Sequence, residues 1–260
     1  MEKRESNIVV TKLGGSVLVD NYSYDLAAKF LARRLQSDSD MRMVVVVSAL
    51  KGLTDELERV AHRIRPKPNQ RALDLLWSTG ELRSVALLTL HFEDLGIEVA
   101  GLNIHETGLQ SDQAAGGSVK IFSGEIRRAF QDHSVVVVPG FFATLAGGAV
   151  VSVGRGGSDL TAVLLAVELG AKHCELLKDV RGYFTEDPKT HHCPEHLPWL
   201  AYERAINMAD SGCELVQRRA IEAARDFGLP LIIRSLHVSG AGSVISGSEL
   251  LPINASVAEN

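Results

Sequence analysis

The chain of 260 residues has little cysteine and no long apolar run. Its three cysteines, Cys174, Cys193 and Cys213, are odd in number and widely spaced, which argues against a disulfide framework and for a reducing compartment, with the thiols acting as small core hydrophobes. No stretch approaches the roughly 20 apolar residues of a membrane span. The charged segment Met1 to Asn7 runs straight into a strand, without the apolar region of a secretory signal. A cytoplasmic protein is therefore expected. Charge of one sign is also scarce: a formal net charge of −5 carries no strong field, so neither nucleic acid nor an anionic membrane is expected as a partner. An anionic substrate would need cations placed locally. Internal repeats and low-complexity segments are missing too, and Arg65-Pro66-Lys67-Pro68-Asn69 reads as a loop, not a domain boundary.

What is present is the pattern of an α/β protein, at a length that holds one large domain or two small ones. Apolar runs at Ile8–Leu13, Met43–Val47, Ile97–Leu102, Ser134–Val138, Ala149–Val153, Cys174–Leu177 and Leu231–Ile233 read as buried strands. Helical spacing covers Tyr24–Leu35, Thr54–Ile64, Asp159–Leu169, Tyr202–Met208 and Glu214–Phe227. Arg71–Leu95 reads as one long helix or a broken pair, with Gly80-Glu81 inside an apolar stretch. The tail from Ser246 has little pattern and is expected to fray. Continuous Val/Ile/Leu runs separated by helices indicate a mainly parallel sheet covered on both faces, whose ligands collect at the strands' carboxyl ends. Lys12, Ser48 and Gly154 fall at such ends.

Two glycine motifs suggest anion binding. Lys12-Leu13-Gly14-Gly15-Ser16 sets a cation beside a turn whose backbone N–H groups form a concave anion site; a surface lysine before an ordinary turn would look the same. Gly154-Arg155-Gly156-Gly157-Ser158-Asp159 is more specific, since three glycines between a strand and a helix let the backbone approach a ligand. A dinucleotide fold competes for it, because Asp179 closes the next strand at about the right spacing. Asp159, however, stands where that fingerprint needs its third glycine. A P-loop is excluded, as neither Gly-Lys-Ser nor Gly-Lys-Thr occurs. The segment His191-His192-Cys193-Pro194-Glu195-His196 holds metal-ligand residue types in no recognisable zinc spacing and reads as a solvated loop.

Six motifs in order resemble the aspartokinases of the amino acid kinase superfamily. They are Lys12 to Ser16, Val47 to Asp55 (VSALKGLTD), Ser78-Thr79-Gly80-Glu81, Val138-Pro139-Gly140-Phe141, Gly154 to Asp159, and Lys178 to Pro188 (KDVRGYFTEDP). The similarity runs from about Val9 to Ile245. It implies a three-layer α/β sandwich around an open, mostly parallel eight-stranded sheet, the carbamate kinase-like fold. A single domain over 1–260 would bind the acceptor in its N-terminal half and ATP in its C-terminal half. The resemblance further implies that Lys12, Gly14, Gly15 and Asp159 serve catalysis, Lys12 at the transferring γ-phosphoryl. Ser48, Thr54, Glu81, Arg155 and Ser158 would hold the amino acid, Glu81 pairing its ammonium and Arg155 its carboxylate. Lys178, Asp179, Phe184 and Arg218 would contact the nucleotide. ATP and Mg2+ are implied as cofactors, without assigned metal-ligand residues, and a homodimer is expected.

The pattern also departs from the family. Ser16 is followed directly by Val17-Leu18, closer to acetylglutamate and uridylate kinases, and Lys178 stands where aspartokinases usually carry threonine. Glu214 aligns with the family's second phosphate-contacting lysine, for which Arg218, Arg219 or Lys178 would substitute. The chain ends where regulatory ACT domains would begin, so feedback through one is not expected. Three readings follow: a kinase acting on the side-chain carboxylate of aspartate, a kinase with another small acceptor, or a catalytically weak regulatory or ligand-binding homologue.

Overall fold

The computed structural model describes residues 7–113, 117–154, 156–188, 190, 192–238, 240 and 242–249. The first half runs β1 (Ile8–Leu13), α1 (Asn21–Ser37), β2 (Arg42–Val47), α2 (Leu53–Ile64), α3 (Gln70–Asp94), β3 (Val99–Gly101), β4 (Leu109–Ser111), β5 (Val119–Ile121) and α4 (Gly124–Ala129). Next come β6 (Val135–Pro139), β7 (Phe142–Thr144), β8 (Val150–Ser152), α5 (Gly157–Leu169) and β9 (Cys174–Lys178). The chain continues through β10 (Tyr183–Phe184), β11 (His196–Leu197), β12 (Trp199–Leu200), α6 (Tyr202–Asp210), α7 (Arg218–Asp226), β13 (Leu231–Ser235) and β14 (Ser243–Ile245).

Eight strands form the main sheet in the order β12-β14-β13-β9-β1-β2-β6-β3. Every neighbouring pair is parallel except β13 with β14. Because β2 is buried on both faces, its side chains split by parity. Val44 and Val46 join the core beneath α5, α6 and α7, whereas Met43, Val45 and Val47 join the core beneath α1 and α3. In α1 a capping box between Asp20 and Ser23 fixes the start, and Tyr24, Ala27, Ala28, Leu31 and Leu35 face inward at helical spacing. Asn69 caps α3 by accepting from the Ala72 N–H at 2.8 Å. The buried Tyr24 and Ser84 hydroxyls, 2.7 Å apart, tie the two helices together.

Several sequence-based expectations change. The run Ala149–Val153 does not extend the main sheet: β8 pairs antiparallel with β7 in a separate four-stranded sheet, β5-β4-β7-β8. The connection explains this, since Leu145 and Ala149 close a tight turn (2.9 Å) far too short for a parallel crossover. The helix expected from Glu214 starts at Arg218, leaving Glu214 in a turn. Val216 is buried there without being helical, so an apolar spacing that looked helical comes from a loop packed on the core. Arg71–Leu95 is one unbroken helix. At the start of the tail the Trp199 indole donates to the Ser246 hydroxyl (2.9 Å) and the Ser248 carbonyl (3.0 Å); residues 250–260 lie outside the described ones. Of the cysteines only Cys174 is a core residue; Cys193 is exposed and Cys213 half-buried. His196 pairs in the β10–β11 hairpin, His191 lies outside the described residues, and no metal-type cluster occurs among the described ones.

Candidate active site

Parallel pairing puts the ends of β1, β2 and β9 side by side: Leu13 lies opposite Val47 on one flank and Leu177 on the other. Lys12 and Lys178 thereby reach one spot beyond the sheet, where both are buried. The first turn of α5 brings Asp159 to the same place. Its carboxylate takes the Lys12 ammonium at 2.7 Å and the Lys178 ammonium at 3.1 Å. Burial pushes the Asp159 carboxyl up, but the two lysines outweigh it and hold the group well below the usual carboxylate range. Burial in turn lowers Lys178 to about 8, with Asp159 opposing the shift. Within the cluster itself two cations share one anion.

Glycine shapes the site at two points. A Cβ on Gly14 would lie 2.7 Å from Lys12 Nζ and would push the ammonium off Asp159. Gly156 starts α5 at φ 75, a left-handed conformation that glycine adopts without strain, and a Cβ there would strike Gln217. The helix start then presents Ser158 and Asp159 in its first turn, where a carboxylate is favoured.

Two cavities meet at this point. One of about 690 Å³ contains Lys12, Gly14, Gly15, Ser48, Thr54, Glu81, Ser158 and Asp159 in its walls. The other, about 760 Å³, is walled by Asp179 and Phe184 along with Tyr183, Met208 and Cys213. Ser16, Lys178 and Glu214 line both, so they mark the junction. Phe184 is itself braced, with the Arg181 guanidinium 5.6 Å from its centroid and His196 edge-on at 5.3 Å.

In the first cavity Glu81 is a carboxylate that forms no ion pair among the described residues. It is 4% exposed; Oε1 accepts from the Ala49 N–H at 3.3 Å, and Oε2 has no partner among the described residues. Burial raises its pKa to about 7. One helical turn earlier, Trp77 lines the same cavity, its indole Nε1 buried and likewise without a partner among the described residues.

The structure thus gathers eleven of the sequence-derived site residues around the two cavities. Arg155 lies outside the described residues. Arg218, expected at the nucleotide, lines neither cavity: Asp210 and Glu222 engage its guanidinium on the exposed side of α7. Arg219 points elsewhere too, donating to the Val153 carbonyl at 2.8 Å. Trp77, Ser16 and Gln217 were missed as cavity residues. For Trp77 a signal existed, its i, i+4 relation to Glu81, but the residue was absorbed into an apolar run.

An open parallel sheet with a split cavity at its strand ends and a lysine–carboxylate–lysine cluster at the junction is a ligand-binding α/β architecture. The model of the amino acid kinase family matches residues 7–235, and the chain belongs to that family. It is 36% identical over 242 residues to an aspartokinase of Thermus thermophilus, covering 92% of this chain and 59% of that protein. The crystal structure of an aspartate kinase from Synechocystis is similar with a TM-score of 0.81 and 29% identity, covering 94% of this chain and 40% of that one. E. coli aspartokinase III in complex with aspartate and ADP shares the fold at a TM-score of 0.80 and 21% identity, with coverage of 94% and 65%. The chain spans about three fifths of the length of the curated relatives it matches.

Proposed function

We propose that the chain transfers the γ-phosphoryl group of ATP to the side-chain carboxylate of aspartate, giving an acyl phosphate. The observation that carries this reading is the Lys12–Asp159–Lys178 cluster at the junction of two cavities, each large enough for a small ligand. The relatives named aspartokinase supply the acceptor. The acceptor would occupy the cavity with Glu81, the nucleotide the one with Asp179 and Phe184, and the phosphoryl group would pass at Lys12 and Lys178. A carboxylate oxygen attacks the γ-phosphorus as the bond to the bridging oxygen breaks and ADP leaves. No proton need be removed, because a carboxylate acceptor is already ionised at neutral pH. Catalysis then rests on positioning and charge neutralisation.

In this reading Gly14 and Gly15 donate backbone N–H bonds to the phosphoryl group, and Asp159 holds both lysines in place before the anion arrives. Ser48, Thr54, Ser158 and Arg155 hold the amino acid and Glu81 its ammonium. Mg2+ keeps most of its waters and binds through phosphates plus one or two carboxylates; Glu214 at the junction fits that donor set. The ion would neutralise phosphate charge. A homodimer would use the outer face of α3, where Leu75 and Leu90 are exposed, and sedimentation would test it.

One observation favours a second reading. Glu214 is an anion lining both cavities, and if it repels the phosphates without a metal, the chain is a weak catalyst serving as a ligand-binding subunit. ATP turnover with Mg2+ against a panel of carboxylate acceptors, trapped with hydroxylamine, decides. Hydroxamate from aspartate supports the first reading; aspartate and ATP bound without turnover supports the second. Turnover with another acceptor alone overturns aspartate as the substrate.

A further inference from the structure

The acceptor-side wall of α3 carries a donor and an acceptor that nothing in the described protein satisfies. Glu81 Oε2 and Trp77 Nε1 are both buried, both lack a partner among the described residues, and do not bond each other. An indole N–H only donates and an ionised carboxylate only accepts. Residues four apart share one helix face, with Cβ atoms roughly 5–6 Å apart. The cavity they line continues to Lys12 and Asp159. Buried polar groups are rarely left unpaired in native proteins, and those that are call for an explanation. A ligand resolves both if it presents a cation to Oε2 and an anionic oxygen to Nε1 within one helical turn. In an α-amino acid, the ammonium and carboxylate on the same carbon form that pair.

Building on the reading of this cavity as the acceptor site, we propose that Trp77 is a specificity-determining residue. Its indole N–H donates to the non-reacting α-carboxylate of the acceptor while Glu81 takes the ammonium. The other carboxylate then lies along the cavity toward Lys12 and Lys178, so the pair on α3 fixes which of two carboxylates reaches the phosphoryl group. An acceptor that lacks the α-carboxylate leaves the indole donor buried and unpaired, and is rejected for that reason. Ring volume alone would give no such preference.

Trp77→Phe keeps the aromatic volume and removes the N–H. Calorimetric binding of L-aspartate, β-alanine (aspartate without its α-carboxylate) and MgATP would be compared in the wild type and in this variant. Aspartate should bind roughly 10- to 100-fold more weakly to Trp77→Phe, as for loss of a hydrogen bond to a charged group. β-Alanine and MgATP should bind unchanged. Equal affinity for aspartate in both proteins, or equal weakening of aspartate and β-alanine, overturns the proposal while leaving aspartate kinase activity intact. If the wild type itself binds no aspartate, the acceptor reading falls and this inference with it. Should Trp77→Phe fail to fold, Trp199→Phe leaves Trp77 as the sole tryptophan, the chain having two. Its emission should then shift with aspartate and not with β-alanine. No shift with aspartate, or the same shift with both, overturns the proposal.

Discussion

Glu81 and Glu175 are both buried glutamates, 4% and 1% exposed, yet their surroundings are opposite. Glu175 on β9 is held by Arg34, whose Nη2 lies 3.1 Å from Oε1, by the Thr11 hydroxyl at 3.3 Å and by Arg234 at 3.8 Å. Burial pushes its carboxyl up, but Arg34 and Arg234 prevail and hold it below the ordinary range. Glu81 accepts from one backbone N–H and forms no ion pair among the described residues, and burial lifts it to about 7. A carboxylate sealed by guanidinium forks is finished as a piece of structure. One kept dry and uncompensated is a place where a ligand's cation gains more than water could give it. Asp159 stands between these extremes, paired, but with lysines whose point charges can be shared with an incoming anion.

The widest gap should appear in stability. Glu175→Gln leaves Arg34 and Arg234 facing no charge, and breaking a buried pair costs about 3–5 kcal/mol. Denaturant unfolding should register that loss, with the aspartate KM of the surviving enzyme unmoved; unchanged stability would remove the contrast. Lys12→Ala strikes the intermediate case. Turnover should drop by about a hundredfold or more, as for loss of one transition-state contact, while the fold persists because Lys178 still pairs Asp159. Undiminished hydroxamate formation would remove Lys12 from the chemistry.

Glu81→Gln should behave oppositely to the Glu175 change. A carboxyl whose native pKa lies above its unfolded value binds its proton more tightly when folded, so stability is lost as pH rises from about 4.5 toward 7. At pH 8 the glutamine variant should therefore be more stable by about 1–3 kcal/mol and bind aspartate less well, with ATP affected little. A gain that persists at pH 5 would point to packing instead of charge. The smallest effect is in the pH profile. In the wild type kcat/KM for aspartate should decline as Glu81 takes a proton below about 7 and as Lys178 loses one above about 8. Glu81→Gln should erase the acid limb alone.

Much of the site was legible in the chain because its parts are local. Lys12-Leu13-Gly14-Gly15 and Gly154 to Asp159 each need only a strand, a turn and a helix start, and periodicity supplies these. Glu81 was conspicuous as a carboxylate in an apolar helix. The misplacement of β8 arose because a three-residue strand carries too little pattern to name its partner, while a tight turn at Leu145–Ala149 decided it. Arg218 was expected at the nucleotide because it lies near Glu214 in sequence, but its face of α7 turns it toward Asp210 and Glu222.

The sequence by itself determined the buried strands, the glycine turns and the presence of lysines and carboxylates at strand and helix ends, since hydrophobic period and backbone freedom are properties of neighbouring residues. Only the tertiary structure decided which charge meets which. Arg34 and Glu175 are 141 residues apart, and Lys178 and Asp159 converge because β9 lies beside β1 beneath the start of α5. Whether a buried carboxylate becomes a sealed strut, a shared pivot or an open receptor depends on that convergence, because Coulomb energy in a low-dielectric interior is set by distance in space and not along the chain.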